Sequence, residues 1–140
     1  MPSRSLVERF IAQVVGGDHV GAIRDWYHPD AWMQENQAPP RGGGRDVLMS
    51  QEAAVLAASE HVDTELLGGP AIGGDTVAIR WRFTFRLKNG STVCQEEVAW
   101  QIWRDDRIAS ETFFYDPDQG MQSAFRMQIS EKPPDDRRHH

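Results

Sequence analysis

From Thr76 to Arg104 apolar and polar residues alternate on both sides of Asn89-Gly90. That dipeptide is a strong hairpin signal, because both positions tolerate the positive φ of a two-residue type I′ turn. Counting back from such a turn pairs Phe85 with Cys94, Phe83 with Glu96, Trp81 with Val98 and Ile79 with Trp100. Opposite charges then meet on the other face, where Arg82 stands across from Glu97. A second turn at Asp105-Asp106, counted the same way, pairs Trp100 with Glu111, Val98 with Phe113 and Glu96 with Tyr115. Both hairpins define one apolar face carrying Ile79, Trp81, Phe83, Phe85, Leu87, Cys94, Val98, Trp100, Ile102 and Phe113. So large a patch has to be covered. Glu96, Glu111 and Tyr115 are embedded in it.

The cover comes from the first half of the chain. Leu6, Val7, Phe10, Ile11, Val14 and Val15 recur at helical spacing before Gly16-Gly17. Asp18 is suited to cap a second helix that ends near Tyr27, ahead of His28-Pro29. A short strand over residues 31–36 precedes a Pro/Gly loop, and a third helix spans residues 45–59. Further strands are expected at residues 61–66, 76–88, 91–104 and 107–116. Helices first and strands afterwards indicate an α+β fold, with a curved antiparallel sheet wrapped by three N-terminal helices into a cone with an internal cavity. One domain, residues 1–129, is expected, followed by a Pro- and charge-rich tail, residues 130–140, that has nothing to bury.

Composition excludes several function classes. A formal net charge of −6 with scattered basic residues disfavours nucleic acid and anionic membrane surfaces. The sequence has no long apolar run, so a cytoplasmic protein is expected. The one cysteine, Cys94, reads as a buried inert thiol, and neither His28 nor His61 has a second ligand at metal spacing. No metal and no cofactor are expected. Asn89-Gly90-Ser91 fits a glycosylation acceptor but is read as a turn.

Within this frame the acids stand out, because burying a carboxylate without a partner is costly and raises its pKa. Glu35 shares a strand face with Met33 and Ala31, and is the candidate general base. Glu111, between Ala109 and Phe113, is the candidate general acid, and Tyr115 a candidate hydrogen-bond donor. Glu96 could pair with Tyr115. Tyr27 reads as packing, Arg41 as part of a connector, and Arg45 as a group that could reach the cavity mouth. The outward Arg80, Arg82 and Arg86, near Trp103 and Phe114, suit a homodimer interface.

The chain resembles the nuclear transport factor 2-like superfamily, within it the SnoaL-like polyketide cyclases, ketosteroid isomerases and limonene epoxide hydrolases. The resemblance is carried by Gly17-Asp18, the stretch Trp26-Tyr27-His28-Pro29-Asp30-Ala31, Pro39-Pro40 with Gly44-Arg45-Asp46, the stretch Trp103-Arg104-Asp105-Asp106-Arg107-Ile108, and Phe114-Tyr115-Asp116. It implies the cone fold and places the isomerase's general base at Glu35. The isomerase's oxyanion donors fall at Phe10 and Trp100, and the last-strand aspartate of the hydrolases falls at Phe113. Cofactor-independent isomerase, cyclase or hydrolase chemistry on an apolar small molecule is the leading expectation. The ligand would be lined by Phe10, Met33, Trp81, Phe83, Glu96, Val98, Trp100 and Phe113. A non-catalytic binding cone and a dimeric interaction module remain the alternatives.

Overall fold

A computed structural model describes residues 1–119. The expected domain end at residue 129 and the tail beyond it lie outside the described residues. Helix α1 (Arg4–Val15) starts where the Ser3 hydroxyl accepts the Leu6 N–H at 3.1 Å, and buries Val7, Phe10, Ile11 and Val14 on one stripe. Helix α2 (His19–Trp26) is capped by Asp18, as its position before the apolar run suggested. Strand β1 (Tyr27–Glu35) begins four residues earlier than expected and runs through Pro29. It can do so because β1 is an edge strand, where a missing N–H breaks no ladder.

Helix α3 (Arg45–Ala57) enters from Gly44, whose φ of 86° belongs to the left-handed region. A Cβ there would sit 2.6 Å from the Pro29 carbonyl oxygen. Gly44→Ala should therefore cost at least ~1 to 3 kcal/mol of stability, read as a lowered urea midpoint.

Strands β2 (Ser59–Gly73), β3 (Thr76–Leu87), β4 (Thr92–Arg104) and β5 (Arg107–Phe114) complete a five-stranded sheet in the order β1-β5-β4-β3-β2. Strand β2 is far longer than residues 61–66, since Gly68-Gly69 forms an irregularity within the strand rather than its end. The sheet is mixed, not wholly antiparallel, because β1 lies parallel to β5. It is open, and the helices cover its concave face. The core joins Phe10, Ile23, Leu48, Ile79, Trp81 and Trp103. No helix among the described residues is long and apolar enough to cross a membrane.

The first hairpin departs from the two-residue count. Gly90 alone takes a positive φ (91°), and the Leu87 N–H donates to Ser91 O at 2.8 Å across a three-residue loop. The Asn89 side chain instead accepts from the Ser91 N–H and hydroxyl. Register shifts by one: Phe83 faces Gln95, Trp81 faces Glu97 and Ile79 faces Ala99. Every β4 side chain therefore changes sides. Gln95, Glu97, Ala99, Gln101 and Trp103 point inward. Cys94, Glu96, Val98, Trp100 and Ile102 point outward, with Trp100 47% exposed and Cys94 exposed rather than buried.

Charge complementarity did not discriminate between the registers. Arg82 and Arg80 both reach Glu96, at 3.0 Å, and its neighbour Glu97 would have served the other pairing equally well. The Asp105-Asp106 turn does form as expected, with φ of 52° and 65°. An irregularity beyond it, between Ile102 and Trp103, shifts the pairing again and leaves Glu111 opposite Gln101 and Phe113 opposite Ala99. The β5 side chains thus keep the expected inward orientation.

Candidate functional site

The helices and the concave sheet face enclose a cavity of about 560 Å³, walled largely by apolar side chains including Phe10, Ile23, Met33, Trp81, Phe83, Phe85 and Phe113. This is the size of a small-molecule site, and its few polar groups are what would orient a ligand. They are four glutamates (Glu35, Glu52, Glu97, Glu111), Arg41, Gln51, Gln95, His19 and two tyrosines, Tyr27 and Tyr115.

At one end the Glu35 carboxylate accepts from Arg41 at 2.6 Å on Oε2 and from the Tyr115 hydroxyl at 2.8 Å on Oε1. Arg41 is fixed in turn by Gln51 at 2.6 Å and by a short antiparallel bridge between its backbone and Met33. The connector arginine is thus the cavity cation. Arg45 turns instead to the carbonyls of Arg24 and Tyr27.

At the sheet end Glu111 is almost fully buried. The Tyr27 hydroxyl bonds to its Oε1, and Gln101 Nε2 donates to its Oε2 at 2.7 Å. Burial outweighs these two hydrogen bonds and raises its pKa to about 7. The same burial, with Glu111 beside it, holds the Tyr27 phenol far above its ordinary range. Trp103 determines which oxygen carries the proton. Its indole N–H donates to Gln101 Oε1 at 2.9 Å, which obliges the amide nitrogen to donate to Glu111 Oε2. A protonated Glu111 therefore holds its hydrogen on Oε1, facing Tyr27 Oη, and the phenolic hydrogen is released to donate toward a ligand.

Two further acids line the wall. Glu97, buried and receiving one hydrogen bond from Gln95 at 2.8 Å, is raised to about 8, with burial the main cause. Glu52 is half-buried, facing the cavity interior from α3. Burial raises its pKa and Glu35 adds to the rise, while Arg41 opposes it. His19, held by Thr64 at 2.8 Å, is lowered by burial and stays neutral near pH 7.

The structure thus brings Glu35, Glu111, Tyr115, Phe10, Met33, Trp81, Phe83 and Phe113 to one cavity. Glu96, Val98 and Trp100 lie on the other face, a consequence of the β4 register. Tyr115 meets Glu35 rather than Glu96. Tyr27, Arg41, Glu52, Glu97 and His19 were missed as site residues. A signal existed for two of them. Tyr27 shares the strand face of Ala31, Met33 and Glu35, and Glu52 follows Leu48 by one helical turn.

No protein-family model matches the sequence, nor does any curated protein sequence. Solved structures do. A Xanthomonas campestris protein of unknown function with a cystatin-like fold has a TM-score of 0.72 at 22% identity, covering 89% of this chain and 98% of its own. A Mesorhizobium loti protein described as a SnoaL-like polyketide cyclase gives 0.69 at 22%, covering 82% and 100%. A Catenulispora acidiphila protein of ketosteroid isomerase-like fold, in complex with trimethylamine, gives 0.67 at 16%, covering 81% and 87%. At such identities the likeness concerns architecture, and on it the chain has the SnoaL-like, nuclear transport factor 2-like fold.

Proposed function

We propose that the cavity performs cofactor-independent proton-transfer chemistry on an apolar small molecule bearing a carbonyl or similar oxygen. The observation that carries this reading is the Tyr27–Glu111–Gln101–Trp103 chain: a carboxyl kept protonated near neutral pH, with its hydrogen aimed through a phenol at an apolar cavity. A cavity carboxylate removes a proton from the carbon beside the carbonyl. The C–H electron pair forms the enolate C=C bond while the carbonyl π pair moves to oxygen. Tyr27 donates to that oxygen, and Glu111 replaces the phenolic proton if it is transferred. Reprotonation at carbon completes an isomerisation or exchange, and attack by that carbon on a second carbonyl would complete a cyclisation. Glu35, engaged at both oxygens, anchors Arg41 and Tyr115, which hold the opposite end of the ligand. The description of fold relatives as polyketide cyclases agrees with this chemistry.

The test uses 2-tetralone as a probe, with exchange of its C1 hydrogens for deuterium in D2O followed by proton NMR. The protein should accelerate exchange over buffer, and Tyr27→Phe and Glu111→Gln should remove most of the acceleration. Unchanged exchange in both variants would refute the reading.

The outer sheet face supports a homodimer, through Trp100, Ile102, Phe114 and Trp32, each more than a third exposed, rather than through the buried Trp103. Light scattering should give a mass near twice the 15.9 kDa of the chain, and Trp100→Glu should halve it. A monomeric wild-type protein, or a Trp100→Glu variant that kept the doubled mass, would count against this interface.

A further inference from the structure

We infer that Glu52 is the proton-accepting base of the cavity, a role that rests on the proton-transfer reading and supplies the partner its acid requires. Each of the other three cavity carboxyls has part or all of its hydrogen-bonding capacity committed. Glu35 is bound at both oxygens by Arg41 and Tyr115. Glu111 is bound at both by Tyr27 and Gln101. Glu97 holds the Gln95 amide. Glu52, on the cavity side of α3, accepts no hydrogen bond from the described residues. A carboxylate that holds no protein donor is the most available form of that base, because no hydrogen bond has to be broken before it takes a proton.

The charge pattern favours the same residue. Arg41 acts on Glu52 to keep it ionised, whereas no cation acts as a leading influence on Glu97 or Glu111. The titratable groups lining the cavity with Glu52 are Arg41, Glu35 and Tyr115 at one end, Tyr27, Glu111 and Glu97 on the sheet, and His19 on α2. Glu52 thus stands as acceptor in the same cavity as a Tyr27–Glu111 donor pair, and two groups of opposite role around one apolar space are what an enolisation needs.

The probe for the base alone is 5-nitrobenzisoxazole. Removal of its C3 proton turns the C–H pair into the third bond of a nitrile while the N–O bond breaks, its pair leaving on oxygen as a coloured phenolate. The proton ends on Glu52 and is then released to water. The reaction requires no acid, so it separates this inference from the donor chain. The protein should accelerate ring opening, with a rate that rises with pH through a midpoint above the ordinary carboxylate range. Glu52→Gln should lower kcat/KM by at least ~100-fold and abolish that pH dependence. Glu52→Asp should retain part of the rate, and Glu8→Gln, on the exposed face of α1, all of it. Thermal melting of Glu52→Gln at or above the wild-type temperature would exclude a folding defect, since the variant removes an unpaired carboxyl. Retention of the full rate by Glu52→Gln, or no acceleration by the wild-type protein, would overturn the assignment. If 2-tetralone exchange still depended on Glu111 in the first case, the proton-transfer reading would stand and only the base would be wrong.

Discussion

Raising the pH from about 5.5 to 9 should weaken the folded protein by on the order of 5 kcal/mol, read from urea denaturation at fixed ionic strength. The cause is the pair of buried acids on the sheet. Glu97 and Glu111 ionise at about 8 and about 7 when folded, against an ordinary 4.5. Between those values the folded chain holds protons that the unfolded chain has lost, so stability declines as pH rises and levels off above about 8. Below this window the trend reverses. The reversal comes where the unfolded glutamates take up protons too, near 4.5: the lowered His19 already opposes the trend below 6.5, one imidazole against two acids, and the lowered Asp25 and Glu96 join it at more acidic pH. Stability should peak on the acid side of neutrality. Glu97→Gln should flatten the alkaline decline and leave the protein more stable than wild type at pH 9. A stability that rose from pH 5.5 to 9 would contradict the burial of these acids.

Glu111→Gln should slow 2-tetralone exchange by roughly 100-fold or more, the typical share of one acid in proton-transfer catalysis. The amide can keep the local geometry. Its oxygen can accept from Gln101 and its nitrogen can donate to Tyr27, so the fold and the phenol's orientation survive. What is lost is a proton that can be given up. The wild-type pH–rate profile should fall above about 7, where Glu111 loses its hydrogen, and this alkaline limb should vanish in the variant. Tyr27→Phe, which removes the only group of that chain able to touch the substrate oxygen, should cost a similar factor and leave the mass and melting behaviour of a folded protein. A variant with undiminished exchange and the same alkaline limb would assign that limb to another group.

Much of this arrangement is legible in the sequence. The helical stripe of Val7, Phe10, Ile11 and Val14, the Asp18 cap and the period-two face of β3 from Ile79 to Leu87 follow from spacing alone. The face of β4 does not. Its orientation depends on whether Asn89 adopts a left-handed backbone or uses its side chain to hold Ser91, a choice of small energy that the dipeptide itself does not decide. Adjacent Glu96 and Glu97 offered an acid to Arg82 in either register, so charge gave no check. The expected inward orientation of Glu111 and Phe113 resulted from two shifts of opposite effect, one in each hairpin.

The site residues that spacing missed share a physical reason. Arg41 enters the cavity through a loop bridge to Met33, a contact between segments with no regular period. Pro29 looks like a helix stop and so places Tyr27 at a helix end, although on an edge strand proline costs little. Glu52 lies in a helix whose Ala, Leu and Met content signals only a helix, while its place in the cavity follows from the face it shares with Leu48. Parallel pairing of β1 with β5 joins chain segments some 80 residues apart, beyond the reach of any hairpin count.

The central claim, that a carboxyl in this cavity is protonated near neutral pH and poised behind Tyr27, is most directly tested by NMR titration of protein carrying carboxyl-13C glutamate. One resonance, absent from Glu111→Gln, should titrate with a midpoint of about 7, far above the surface glutamates. If the resonance lost in that variant titrated instead in the ordinary carboxylate range, Glu111 would be an ordinary carboxylate and the acid assigned to this cavity would not exist.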